Sequence, residues 1–222
     1  MSTAIERETD VPILGEVPQL EDDLEVRVRP FGRASEAFRN IRTHVTSWGA
    51  RRVACVGCVE AQGTSRVVAN LALAFNEYEG SVLIVDANLR NPTQHLLFEV
   101  GNDLGLTDVL IDTPLEDALW DASDGALKLL ASGPRPPDPV RLLEDERIQH
   151  VLSISDSNRV DRIIVDVPSL SQHADFVPVC LHTDGVILVA DGNLSPNRVV
   201  SSLRALHRLA IPTIGVVLTN VP

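Results

Sequence analysis

The stretch that decides the fold runs Val53-Ala54-Cys55-Val56-Gly57-Cys58-Val59, then Glu60-Ala61-Gln62-Gly63-Thr64-Ser65-Arg66, then Val67-Val68-Ala69-Asn70-Leu71-Ala72. It reads as an apolar strand, a short glycine-bearing loop and the start of a helix. A phosphate-binding loop sits at such a junction and carries Gly-Lys-Ser or Gly-Lys-Thr. Here the triplet is Gly63-Thr64-Ser65, so the hydroxyl is kept and the ammonium group is missing.

Outward from this stretch the same alternation continues. Strand candidates are Val53–Val59, Val82–Asp86, Leu127–Ala131, Ile163–Asp166, Val186–Ala190 and Ile214–Leu218. Several are continuous apolar runs, as in strands buried on both faces. Helices are expected over Ser65–Phe75, Pro139–Ile154 and Ser195–Leu209, the last with Ser195 as N-cap and Pro196 in the first turn. Another begins near Ser35, where Ala37, Phe38, Ile41 and Val45 form an apolar stripe. Strands alternating with helices predict an α/β fold: a mostly parallel central sheet with helices on both faces. Residues 1–30 are polar and acidic. They read as a flexible tail in which only residues 11–18 form a docking segment, with the domain spanning 31–222.

The formal net charge of -12 argues against broad binding to a nucleic-acid backbone, so no nucleic-acid partner is expected. No membrane-length apolar run and no signal-like start occur, which predicts a cytoplasmic protein, able to dock on a membrane partner at the inner face. Cys55, Cys58 and Cys180 are too few for a disulfide framework. Cys55 and Cys58 lie three apart on a strand and so face opposite ways, which suits buried thiols better than a metal or redox pair. The six histidines, at 44, 95, 150, 173, 182 and 207, show no ligand spacing.

In parallel sheets, ligands bind at the carboxyl ends of the strands. Asp86 closes one strand and Asp166 another. With the Ser65 hydroxyl, these two carboxylates form a set able to hold a hydrated magnesium ion beside nucleotide phosphates. Either aspartate alone would serve equally well as a turn former.

Together these segments resemble the bacterial tyrosine kinases of capsule and exopolysaccharide export, relatives of the MinD and ParA ATPases. The resemblance runs from about residue 11 onward. It is carried by Pro12–Pro18, by Glu36-Ala37-Phe38-Arg39-Asn40-Ile41-Arg42 as an E-x-x-R-x-x-R motif, by Val82–Pro92, by Gly133–Leu143 and by Ile163–Pro168. It implies a P-loop fold, with Gly63, Thr64, Ser65 and Arg66 at the nucleotide. Ser65, Asp86 and Asp166 would sit at magnesium, with Asp86 and Asp166 catalytic if the protein is active. It also implies self-association through Glu36, Arg39 and Arg42. By spacing alone, Glu36 and Arg39 would make an ordinary pair on a helix surface.

Departures from the family pattern are concentrated in the loop. Thr64 stands at the lysine position, Arg66 at a second hydroxyl, Ala61 at a glycine and Glu60 at a proline. Asn88 replaces the second aspartate of the D-x-D pair. The single tyrosine is Tyr78. The sequence therefore predicts a degenerate kinase-like assembly or regulatory module, with ATP and magnesium bound weakly or not at all. Its expected partners are its own copies, an active paralogue and a membrane polysaccharide co-polymerase. Two rivals stand beside this reading: an active kinase with an atypical loop, and a MinD- or ParA-like ATPase.

Overall fold

The computed structural model describes residues 1–123, 126–154, 160–171 and 174–221. Its strands are β1 (Ile13–Pro18), β2 (Arg52–Gly57), β3 (Val82–Asp86), β4 (Leu119–Asp121), β5 (Leu127–Leu130), β6 (Arg162–Val167), β7 (Gly185–Asp191) and β8 (Thr213–Val221). They form one sheet in the order β1-β8-β7-β2-β6-β3-β5-β4. Every pairing is parallel except β4 with β5. The helices are α1 (Ser2–Thr9), α2 (Glu25–Val28), α3 (Arg33–Trp48), α4 (Thr64–Glu79), α5 (Gln94–Leu97), α6 (Leu106–Ile111), α7 (Pro139–Leu143), α8 (Arg147–Ser153), α9 (Phe176–Cys180) and α10 (Pro196–Arg208).

The central strands are buried on both faces, which is why they read as unbroken Val/Ile/Leu runs. Their side chains divide between two cores. Val53 and Cys55 join the layer under α3 and α4, and Ala54, Val56 and Cys58 join the layer under α6 and α8–α10. All three cysteines are free and buried, and burial pushes the Cys58 thiol up to about 11. The strand geometry thus separates the C-x-x-C pair as its spacing predicts.

Within residues 1–30, β1 lies inside the docking segment expected at 11–18, and helix α1 stands where a flexible tail is expected. Ile13–Pro18 adds to the sheet beside β8 in a parallel pairing. Helix α1 packs on α10 and buries Ile5 completely. A single apolar residue in a polar octapeptide gives no readable period, yet it suffices to seat the helix once a groove exists. The stretch expected as one helix over 139–154 is broken between α7 and α8 at Glu144-Asp145-Glu146. Ser195 occupies the N-cap position of α10, but its side chain makes no capping bond.

Candidate functional site

Strands β2, β3 and β6 are neighbours, and their carboxyl ends open onto a cleft of ≈ 630 Å³. One wall is the β2–α4 loop, residues 59–66. The other is built from Asn88, Asn91, Asp166 and Ser169, with Leu96 and Leu97 at its edge. The position follows from topology: β2 lies inside the sheet and its chain leaves toward α4, so the loop crosses the strand ends where the polar residues collect.

Asp86 and Asp166 stand side by side in register on β3 and β6, and both are buried. Asp86 is fully buried and does not line the cleft. Its Oδ2 accepts the backbone N–H groups of Thr93 (3.1 Å) and Gln94 (3.0 Å), and its Oδ1 accepts that of Asn88 (3.2 Å). Asp166 lines the cleft and accepts the Ser65 hydroxyl. Its Oδ2 accepts Gln94 Nε2 at 2.7 Å, and the same nitrogen donates to the Ser65 carbonyl at 3.0 Å. Gln94 therefore ties Asp86, Asp166 and the first turn of α4 together. Sequence reading missed it, because a lone glutamine eight residues past a strand end carries no spacing signal. Burial raises the pKa of both aspartates. Asp86 lies well above its ordinary value, pushed further by the Asp166 charge and partly restrained by its three N–H donors. Asp166 is raised to about 6, with the Ser65 and Gln94 bonds opposing the shift.

The phosphate loop keeps its backbone shape. Gly63 caps α4 at φ 75°, and Ala61 is held in the left-handed region at φ 58°. That conformation costs a residue with a Cβ about 1–2 kcal/mol. A Cβ on Gly57 would lie 2.8 Å from the Thr64 hydroxyl and 2.9 Å from the Val59 carbonyl, so the strand end requires glycine. Gln62 braces the loop from inside: its side-chain oxygen accepts the Val59 N–H, and its carbonyl accepts the Thr219 hydroxyl at 3.1 Å. The charge is another matter. Asp23, Glu60 and Asp166 line the cleft, and among the described residues Arg66 is the sole lining cation. Arg66 Nε pairs with Asp23 at 2.7 Å on a half-exposed rim.

The donors divide when measured against a magnesium nucleotide. Ser65 and Asp166 face the cleft, and a hydrated magnesium ion takes only one or two protein ligands of this kind. Asp86 stands behind them with its oxygens committed to the backbone. Among the described residues no group of three or more His, Cys, Asp or Glu is placed to hold a metal. A triphosphate would meet the N-terminal amides of α4. It would not meet a cation at Thr64.

The remaining predicted residues lie elsewhere. Arg39 is mostly buried and joins α3 to α4: Nε and Nη2 donate to Glu77 at 2.8 Å each. Nη1 donates to Glu36 and to the Pro30 carbonyl at 2.6 Å. The Glu36–Arg39 pair is thus real, and its larger part is an interhelical bond that i,i+3 spacing could not reveal. Arg42 stacks on the ring of exposed Tyr78 at 3.9 Å. Arg90 pairs with buried Asp175 at 2.5 Å. His173 lies outside the described residues. Among the described residues no helix is long and apolar enough to cross a membrane.

No family model matches the chain. Tyrosine-protein kinase YwqD of Bacillus subtilis is 29% identical to it over 197 residues, covering 86% of this chain and 83% of that protein. The chimerical protein CapA2B2 matches it with TM-score 0.93 at 26% identity, over 100% of both chains. The septum site-determining protein MinD of Pyrococcus horikoshii, solved with Mg-ADP, matches with TM-score 0.61 at 22% identity, over 73% of this chain and 67% of that one. The last likeness shows the fold alone.

Proposed function

We propose that this chain, a relative of the bacterial tyrosine kinases of capsule and exopolysaccharide formation, has kept the kinase fold while transferring phosphate slowly or not at all. In this reading it works as an assembly or regulatory module in polysaccharide biosynthesis and export. It would associate with its own copies, with an active paralogue or with a membrane polysaccharide co-polymerase. Its work would then lie in the cytoplasm, at the inner face of the membrane through that partner.

One observation carries the reading. The only guanidinium lining the cleft among the described residues, Arg66, is paired with Asp23, and Thr64 stands where the resemblance requires an ammonium group. Phosphoryl transfer depends almost wholly on positioning and charge stabilisation. Removing one stabilising donor commonly costs about two to three orders of magnitude in rate. Glu60 adds a like charge beside the phosphates. Ser65 and Asp166 would hold magnesium where it binds, and the ion would neutralise phosphate charge there. Apart from Arg66, no side-chain cation lines the cleft among the described residues.

A second reading, an active kinase with an atypical loop, has one observation in its favour. The Arg66–Asp23 pair is exposed, and such pairs contribute about 0–1 kcal/mol. Arg66 could leave Asp23 for a phosphate at little cost.

Calorimetric titration with magnesium and ATP, run beside transfer of labelled phosphate to a tyrosine-rich peptide, separates the two. The first reading expects no saturable heat and no labelled peptide. Saturable, magnesium-dependent binding with rapid labelling, lost in Asp166→Asn, would overturn it. Loss of that labelling in Arg66→Ala would establish the second.

A further inference from the structure

A second cavity, of ≈ 460 Å³, lies between the segment after β6, helix α9 and helix α10. That volume falls within the range of small-molecule sites, about 300–1,000 Å³. Its walls are apolar, built from Leu170, Phe176, Val177 and Leu209. Its polar groups are spread unevenly. At the floor the Cys58 thiol and the Ser202 hydroxyl are buried and hydrogen-bonded to each other, so an apolar group resting there strands neither. Arg198, one turn before Ser202 on α10, is exposed and is the only charged residue lining the cavity among the described residues. It forms no ion pair among them. Its charge reaches the floor, where it opposes the upward push of burial on the Cys58 thiol.

Only two short segments divide this cavity from the cleft beside the phosphate loop. Cys58 lines the cavity and Val59 the cleft, and Leu170 lines the cavity and Ser169 the cleft. The Leu170 N–H donates to the Gly57 carbonyl at 2.9 Å, which clamps the two segments together. A molecule seated in the cavity would therefore press on the same backbone that borders the cleft.

We infer that this cavity binds a free amphipathic carboxylate, with its apolar body against Leu170, Phe176 and Val177 and its head on Arg198. Burial of the body supplies the apolar part of the affinity, and the unpaired guanidinium selects a negative head. Occupancy braces the segments at Cys58–Val59 and Ser169–Leu170, so the bound molecule acts as an effector of the neighbouring cleft. The inference goes beyond the reading above and holds whether or not phosphate is transferred there.

Calorimetric titration of the full chain with decanoate, kept below its micelle concentration, tests the site. One saturable site per chain is expected, and acetate, which has the head without the body, should give none. Decanol, which has the body without the head, should bind at least about tenfold more weakly, and so should decanoate to Arg198→Glu, each for want of one charge-assisted contact. Arg198 is exposed, so Arg198→Glu should leave the thermal melt unchanged. Ala205→Trp, which fills the cavity, should abolish binding. In amide spectra, Val59 and Ser169 should shift with the same saturation as Leu170. Equal affinity for decanol and decanoate, equal affinity of wild type and Arg198→Glu, or no saturable heat overturns the site. Binding to phosphatidylglycerol vesicles without binding to free decanoate overturns it in favour of a membrane surface. Unmoved Val59 and Ser169 amides overturn the effector role alone.

Discussion

On the β3–β6 side of the cleft, Asp86 and Asp166 have donors for their oxygens from three backbone amides, a glutamine and a serine. On the β2–α4 side, the loop is curved through Gly57, Gly63 and a strained Ala61, and carries Thr64 where the resemblance places a lysine. One side has its oxygens bonded within the chain, and the other offers a curved loop with no lysine. The difference teaches that shape and charge have separate sources. Loop shape comes from backbone hydrogen bonds and packing that the fold needs anyway, whereas the lysine is needed by the phosphate and by little else.

The comparison breaks most visibly if the carboxylate side proves dispensable. Asp86→Ala should leave three buried N–H groups without an acceptor and cost about 3 kcal/mol or more, while Asp86→Asn keeps an acceptor and should cost about 1 kcal/mol. Urea unfolding of the two variants measures this, and equal small losses would mean that Asp86 is not a structural acceptor. Next in size is a pH effect at Asp166. Its folded value lies near 6 against an ordinary 3.8, so the native state holds the proton more tightly than the unfolded chain. The resulting stability is complete below 3.8 and lost as pH rises through about 6. Asp166→Asn does not ionise, so above pH 6 it should exceed the wild type by up to about 3 kcal/mol, with a flatter dependence of Tm on pH. A variant less stable than the wild type at pH 8 would show that Asp166 is held as an ion. The smallest effect sharpens the loop side. Ala61→Gly should relieve the left-handed strain and raise stability by about 1 kcal/mol at most. Destabilisation there would indicate that the alanine methyl is packed.

Most of the sheet was legible because β2, β3, β6, β7 and β8 are buried on both faces and therefore write themselves as apolar runs. Three elements were not. β1 carries Gly15, Glu16 and Pro18 in six residues, and as an edge strand it needs only Leu14 and Val17 inside. β4 is three residues long and antiparallel, below the length at which a pattern can appear. α1 offers one buried side chain. Of the candidate site, strand-end carboxylates and the loop could be placed from sequence because topology brings strand ends together. Gln94 and the Arg39–Glu77 bond could not be, since each joins residues far apart in the chain through polar contacts that no periodicity encodes.

β1, near the start of the chain, finds its place beside β8, near the end, and α1 rests on α10. During synthesis, β1 and α1 are made before β8 and α10 and must therefore wait for them before they can dock. Pairings of such sequence separation form slowly, and an unpaired strand is open to wrong partners in the meantime. The polar, acidic character of residues 1–30, uninformative as a structural signal, suits a segment that has to stay dissolved throughout that delay.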